Sequence, residues 1–124
     1  VVVLVVDDDP VSLMLAEHVL RGGGYNVVTA VDVEGAGRAV HDGPFEVIVC
    51  DYMMPDGTGL DLLEQLNGEL GEACPPFVLL TGVSEADDLD DARVELTSAY
   101  LTKPVKSDEL LAAVGDVRAA APGN

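Results

Sequence analysis

One segment limits what this chain can fold into more than any other: residues 45–59, FEVIVCDYMMPDGTG. Its first part, 45–50, is a short apolar run rich in β-branched side chains, the pattern of a buried strand. The run stops at Asp51, an acid placed where the chain would leave the sheet. A carboxylate taken out of water there is costly unless it finds partners. Pro55-Asp56-Gly57-Thr58-Gly59 then reads as a loop before the next helix.

The same grammar recurs along the chain. Residues 1–6 are a continuous apolar run, as for a strand covered on both faces, and end at Asp7-Asp8-Asp9. Asp9-Pro10 predicts a helix start, with Asp as cap and Pro at the first helical position; Leu13, Ala16 and Leu20 follow at helical spacing. Further strands are expected over 26–30, 77–81 and 99–102. Helices are expected over 32–41, from Gly59 onward with Leu60, Leu63, Leu66 and Leu70 on one face, over 85–96 behind Ser84, and behind Ser107. Five strands alternating with five helices predict an α/β fold: a doubly wound five-stranded parallel sheet with right-handed crossovers. The expected strand order is 2-1-3-4-5. Residues 1–118 form the expected domain, and 119–124 a C-terminal tail or the start of a linker.

Composition excludes several classes of function. The 124 residues carry 23 acidic and 6 basic side chains, a net charge of −17. That argues against nucleic acid or an anionic membrane as this domain's partner. Such a surface is either simply solubilising or suited to high salt, where screening relieves self-repulsion. The longest apolar run is far too short to span a bilayer. Two cysteines without a CxxC pair give no disulfide or zinc framework, which fits a reducing cytoplasm.

Ligands of open parallel sheets bind at the carboxyl ends of the strands. Four of the five expected strands end there in polar groups: Asp7, Asp8 and Asp9 after the first, Asp51 after the third, Thr81 after the fourth and Lys103 after the fifth. Adjacent first and third strands bring carboxylates together, and like charges that close need a cation. An all-oxygen site of this kind suits magnesium. A carboxylate, a hard dication, an ammonium and a hydroxyl are the parts of a phosphoryl-transfer site. Spacing alone leaves open which acid is the nucleophile. Asp9 reads as a helix cap, His18 and His41, which lack an acidic or cysteine partner at ligand spacing, as surface or partly buried residues, Met14 and Met54 as gap fillers, and the acidic stretch 87–91 as a solvated helix face.

With VVDDDP at Asp7-Asp8, D-x-x-M-P at Asp51 to Pro55, Gly59, L-L-T-G ending at Thr81-Gly82, and Y-L-T-K-P from Tyr100 to Pro104, the chain resembles the receiver domain of two-component response regulators, chemotaxis regulators included. The resemblance covers nearly all of the chain and implies a flavodoxin-like fold. It implies Asp51 as phosphoacceptor, Asp8 as a direct magnesium (or manganese) ligand, Asp7 as a ligand through water, and the Met53 backbone carbonyl as another. Thr81 and Lys103 would bind phosphoryl oxygens, and Thr81 and Tyr100 would form the switch pair. The implied activity is magnesium-dependent acceptance of a phosphoryl group from a histidine kinase or histidine phosphotransfer protein. Signalling would pass through the fourth-helix, fifth-strand, fifth-helix face. The domain would catalyse only its own phosphorylation and dephosphorylation, in the cytoplasm, with an effector domain outside this chain or a phosphorylation-dependent dimer as output. The chain departs from the family pattern at Thr58, at Leu96-Thr97-Ser98-Ala99, which lacks a helix-ending glycine, and at Met53 and Val83. Those two apolar residues would flank the phosphoryl group and hinder hydrolysis. The rival readings are a haloacid-dehalogenase-like phosphatase using Asp7, a flavin-binding module, and a phosphorylation-independent interaction domain.

Overall fold

The computed structural model describes residues 2–82 and 95–120. Five parallel strands form one sheet: β1 (Val2–Val6), β2 (Asn26–Ala30), β3 (Val47–Asp51), β6 (Phe77–Thr81) and β7 (Ala99–Thr102). Their order is β2-β1-β3-β6-β7, which is the expected 2-1-3-4-5. The expected strands over 26–30, 77–81 and 99–102 have the observed bounds. β3 starts two residues later than expected and takes in Asp51 as its last residue.

Side chains alternate across each strand, so a continuous apolar run feeds two cores at once. Leu4, Val6, Ile48, Cys50, Phe77 and Leu79 face one side, where α2 (Val33–Asp42) and α3 (Gly59–Leu70) cover them with Ala36, Val40, Leu60, Leu62, Leu63 and Leu66. Val3, Val5, Val47, Val49, Val78 and Leu80 face the other. There α1 (Pro10–Gly22) and the last helix (Ser107–Ala120) cover them with Leu20, Leu110, Val114 and Val117. Four α-helices are present among the described residues; the helix expected over 85–96 lies, but for its last two residues, outside them.

Local chemistry explains the helix starts. Asp9 caps α1 by accepting from the Val11 N–H at 3.2 Å, with Pro10 as the first helical residue. Asp32 caps α2 by accepting from the Gly35 N–H at 2.7 Å. Ser107 corrects an expectation: it is the first residue of the last helix, and the Lys106 carbonyl accepts the first helical bond, from the Leu110 N–H at 3.0 Å. The segment after β3 also differs from a plain loop. Met53–Met54 (β4) and Gly57–Thr58 (β5) pair antiparallel as a short ribbon.

Candidate functional site

Parallel register places the polar strand ends side by side. Val6 is level with Cys50, Asp51 with Leu80, and Thr81 with Thr102. Three of the four ladders are extended by one bond past the strand: Asp7 N–H to Ala30 O at 3.1 Å, Tyr52 N–H to Leu80 O at 2.8 Å, Lys103 N–H to Thr81 O at 2.6 Å. The backbone at this edge is therefore as firmly held as the sheet itself.

Lys103 is the hub. Its ammonium lies 2.9 Å from Asp51 Oδ1 and 3.3 Å from Asp7 Oδ2. Burial alone would lower its pKa, but hydrogen bonding and attraction from Asp51, with attraction and hydrogen bonding from Asp7, outweigh that and hold it above the ordinary lysine value. Asp7 and Asp51 are both buried, 2% and 8% exposed, and Asp7 also accepts from the Asp9 N–H at 2.9 Å. Asp8 is exposed at the mouth. Carboxylate oxygens of Asp7, Asp8 and Asp51 all lie within 4.8 Å of one another. Three carboxylates against one ammonium leave an excess of two negative charges, which a divalent cation would neutralise. The donor set is hard oxygen throughout, so the cluster fits a magnesium-like ion better than a thiophilic one.

Three further residues sharpen the picture. Thr81 is fully buried, and among the described residues its hydroxyl has no hydrogen-bond partner. An unmet buried donor costs on the order of 1–3 kcal/mol. Tyr100, on β7 three residues before Lys103, is 53% exposed, with its ring on the outside of the fold. Cys50, fully buried directly before Asp51, has its thiol pushed well above its ordinary pKa, first by desolvation and then by Asp51 and Asp7.

The loop after Asp51 makes contacts that sequence reasoning passed over. Thr58 and Asp61 form a capping box on α3: the Thr58 hydroxyl accepts from the Asp61 N–H at 3.1 Å, and Asp61 accepts from the Thr58 N–H at 2.9 Å. The T-x-x-D spacing was its signal. Gly59 is required by a close approach, since a Cβ there would lie 2.7 Å from the Asp51 carbonyl oxygen and 2.8 Å from Leu79 Cδ1. Asp56 accepts from the Val33 and Glu34 N–H groups at 2.9 and 3.1 Å, bonds that hold its pKa below the ordinary carboxylate value. Nothing local in the sequence announces that contact. Met53 is half exposed beside Asp51, whereas Val83, its expected companion, lies outside the described residues. His41 is paired after all: its Nε2 lies 2.8 Å from Glu69 Oε2, bridging α2 and α3 far from the site.

A doubly wound sheet with an acidic, cation-ready cluster and a lysine at its carboxyl edge defines a class of phosphoryl- or cation-handling α/β domains. The particular family follows from comparison: residues 3–115 match the response regulator receiver domain, and the chain belongs to that family. It is 38% identical over 114 residues to the probable transcriptional regulatory protein TcrX of Mycobacterium tuberculosis, covering 90% of this chain and 47% of that protein. It is 36% identical over 110 residues to the transcriptional regulatory protein KdpE of the same species, covering 89% and 47%. The chain thus spans about half the length of these curated relatives. Its fold matches a response regulator receiver domain protein from Clostridium thermocellum with TM-score 0.86 at 26% identity, covering 96% of this chain and 94% of that one. It likewise matches the chemotaxis response regulator CheY4 of Vibrio cholerae with TM-score 0.84 at 27% identity, covering 94% and 97%. Family membership sets aside the dehalogenase-like and flavin-binding readings. The protein has a signalling role in two-component systems, and no described helix is long and apolar enough to cross a membrane.

Proposed function

We propose that Asp51 accepts a phosphoryl group from a histidine kinase or histidine phosphotransfer protein, and that residues 1–118 are the receiver unit that does so. The observation carrying this reading is the pairing of Asp51 with Lys103 at 2.9 Å, in a pocket that Asp7 and Asp8 share. Asp7, Asp8, Asp51 and the Met53 carbonyl would hold the magnesium or manganese ion, whose charge offsets that on the phosphoryl oxygens. Asp51 attacks phosphorus through a carboxylate oxygen. The bond from phosphorus to the donor histidine nitrogen breaks, its electron pair stays on the imidazole, and an acyl phosphate forms. Lys103 is already aimed at the reacting oxygen and moves only to the new phosphoryl group. No external substrate is turned over.

The buried Thr81 hydroxyl gains the partner it lacks by donating to a phosphoryl oxygen. Tyr100 turns inward as Thr81 shifts. Phosphorylation thereby biases a two-state equilibrium at the face of the fourth helix, β7 and the last helix. A cytoplasmic effector domain beyond this chain, or a second phosphorylated copy, would read that face.

Mass spectrometry with acetyl phosphate and magnesium tests the reading. The wild-type chain gains one phosphoryl mass and Asp51→Asn gains none. A modified Asp51→Asn protein, or an unmodified wild type, would sink it; an unmodified wild type that still signals would instead favour the phosphorylation-independent interaction domain. Met53 tunes the lifetime of the acyl phosphate by keeping water off phosphorus. Met53→Asn, which replaces an apolar side chain with one that can hydrogen-bond the attacking water, is expected to hydrolyse faster. An unchanged or slower rate contradicts this role.

A further inference from the structure

The segment from Tyr52 to Gly59 carries Met53 past Asp51, and its two ends are held by bonds of their own. The Tyr52 N–H donates to β6, the Gly59 N–H donates back to the Tyr52 carbonyl at 2.7 Å, and the capping box ties Thr58 to α3. Asp56 reaches elsewhere. Both of its carboxylate oxygens accept backbone N–H groups from the first turn of α2, 22 and 23 residues away in sequence. Next to it, Gly57 lies against Val33: a Cβ at Gly57 would sit 3.5 Å from Val33 Cγ2. The two Asp56 bonds thus seat the loop on α2, with Gly57 close beside Val33.

The helix does not depend on Asp56 for a cap. Asp32 is its own N-cap, bonded to Gly35, and the Asp32 carbonyl accepts from Ala36 at 3.0 Å. Asp56 takes the two remaining first-turn donors, Val33 and Glu34. The bidentate grip is aligned with the positive end of the helix, so its strength depends on α2 being in place. A ligand atom carried on a pinned loop binds a cation without the loss of entropy that ordering a free loop would impose.

We propose that Asp56 is a positioning residue for the cation pocket: by pinning the Met53-bearing loop to the first turn of α2, it sets how tightly Asp7, Asp8 and Asp51 take a divalent cation. The inference rests on the magnesium reading above.

The test titrates MgCl2 into the unphosphorylated 124-residue chain, followed by calorimetry, for wild type, Asp56→Ala, Asp56→Asn and Asp32→Ala. Asp56→Ala should bind magnesium about three- to tenfold more weakly, the equivalent of losing one capping interaction. Asp56→Asn, which keeps one accepting oxygen, should fall between. Asp32→Ala removes the same charge and a true cap from the same helix, yet should leave magnesium affinity unchanged while lowering the melting temperature. Amide hydrogen exchange on the metal-free proteins supplies a second readout: the Tyr52, Thr58 and Gly59 amides should exchange faster in Asp56→Ala and not in Asp32→Ala. Wild-type affinity in Asp56→Ala, or an equal loss in Asp32→Ala, overturns the proposal. A wild type that takes up no magnesium overturns the magnesium reading instead, and unchanged exchange at those three amides then overturns the pinning itself.

Discussion

The two edges of the sheet carry ion pairs of nearly equal length and opposite character. At the carboxyl edge Lys103 lies 2.9 Å from Asp51, with the carboxylate side chain 12% exposed and a second buried acid beside it. At the amino edge Arg118 lies 3.0 Å from Glu46, with side chains 34% and 50% exposed, and its guanidinium stacks 5.5 Å from the Tyr25 ring. The outer pair closes the end of a finished structure and sits in water. The inner one concentrates like charge where water is scarce, beside a hydroxyl with no partner among the described residues. Distance alone would rank them as equals; burial and charge balance separate them. The carboxyl edge sets three acids against one ammonium, whereas the pair at the amino edge is balanced one to one and solvated.

The largest expected effect comes from α3, which begins at one edge and ends toward the other. Gly59 starts it with no room for a Cβ, because backbone and the Leu79 side chain stand under 3 Å away. Gly59→Ala should therefore cost about 1–3 kcal/mol, as overpacking does, and shift the Asp51 carbonyl with it. Gly68, exposed on the same helix, has nothing within 4 Å of a Cβ. Gly68→Ala should stabilise by about 0.4–1 kcal/mol through the unfolded chain. Urea unfolding of both variants checks the contrast. Equal effects would mean that the two ends of α3 are equally tolerant, and the distinction between the edges would lose its packing half.

Alkaline titration probes the electrostatic half. Cys50 sits beneath Asp51, and its pKa in the folded protein is raised by desolvation first and by Asp51 and Asp7 next. Above about pH 9 the unfolded thiol ionises while the folded one keeps its proton. The folded state then binds more protons, so stability falls as pH rises, by at most about 1.4 kcal/mol per pH unit for this one group. Cys74, before β6 at the amino edge, is raised by partial burial alone. Cys50→Ala should flatten the loss between pH 9 and 10 more than Cys74→Ala does. Lys103 adds a later loss: its folded pKa is raised, so its contribution is complete below about 10.5 and disappears as pH climbs through the folded value. The slope in Cys50→Ala should accordingly steepen again above that point. Denaturant midpoints across this pH range decide it, and identical slopes for the two cysteine variants would contradict the asymmetry.

Much of this was legible in the sequence because the carboxyl edge is written in local terms. A β-branched run that stops at Asp51, another that stops at Asp7, and strands over 26–30, 77–81 and 99–102 are each readable within a few residues. The topology of alternating strands and helices then forces their ends together. What stayed hidden depends on pairs far apart in the chain. Asp56 looked like a turn residue, and only the seating of the loop on α2 gives it Val33 and Glu34. Ser98 stood in a turn that lacked its expected glycine, yet its N–H donates to the Phe77 carbonyl at 2.8 Å and its hydroxyl accepts the Phe77 N–H at 3.1 Å, docking β7 on β6. His41 looked partnerless because Glu69 is 28 residues away. Thr58 was different: its capping-box spacing to Asp61 was local and visible, and was read only as a departure from a pattern.

The smallest expected effect belongs to the amino edge and completes the comparison. Glu46 and then Tyr25, through hydrogen bonds, hold the Arg118 guanidinium above its already high pKa, but the group is solvated. Exposed pairs gain little because water screens the attraction and two long side chains must be ordered to make it. Arg118→Met keeps the aliphatic stem that packs beside Tyr25 and deletes only the charge and the fork. Its melting midpoint should stay close to that of the wild type, and its extent of phosphorylation by acetyl phosphate should be unchanged. A large drop in stability would show that the stacked Arg118-Tyr25-Glu46 group behaves as a buried network despite its exposure. A change in phosphorylation at preserved stability would show that the last helix carries strain from one edge of the sheet to the other, and the two edges could no longer be treated as separate.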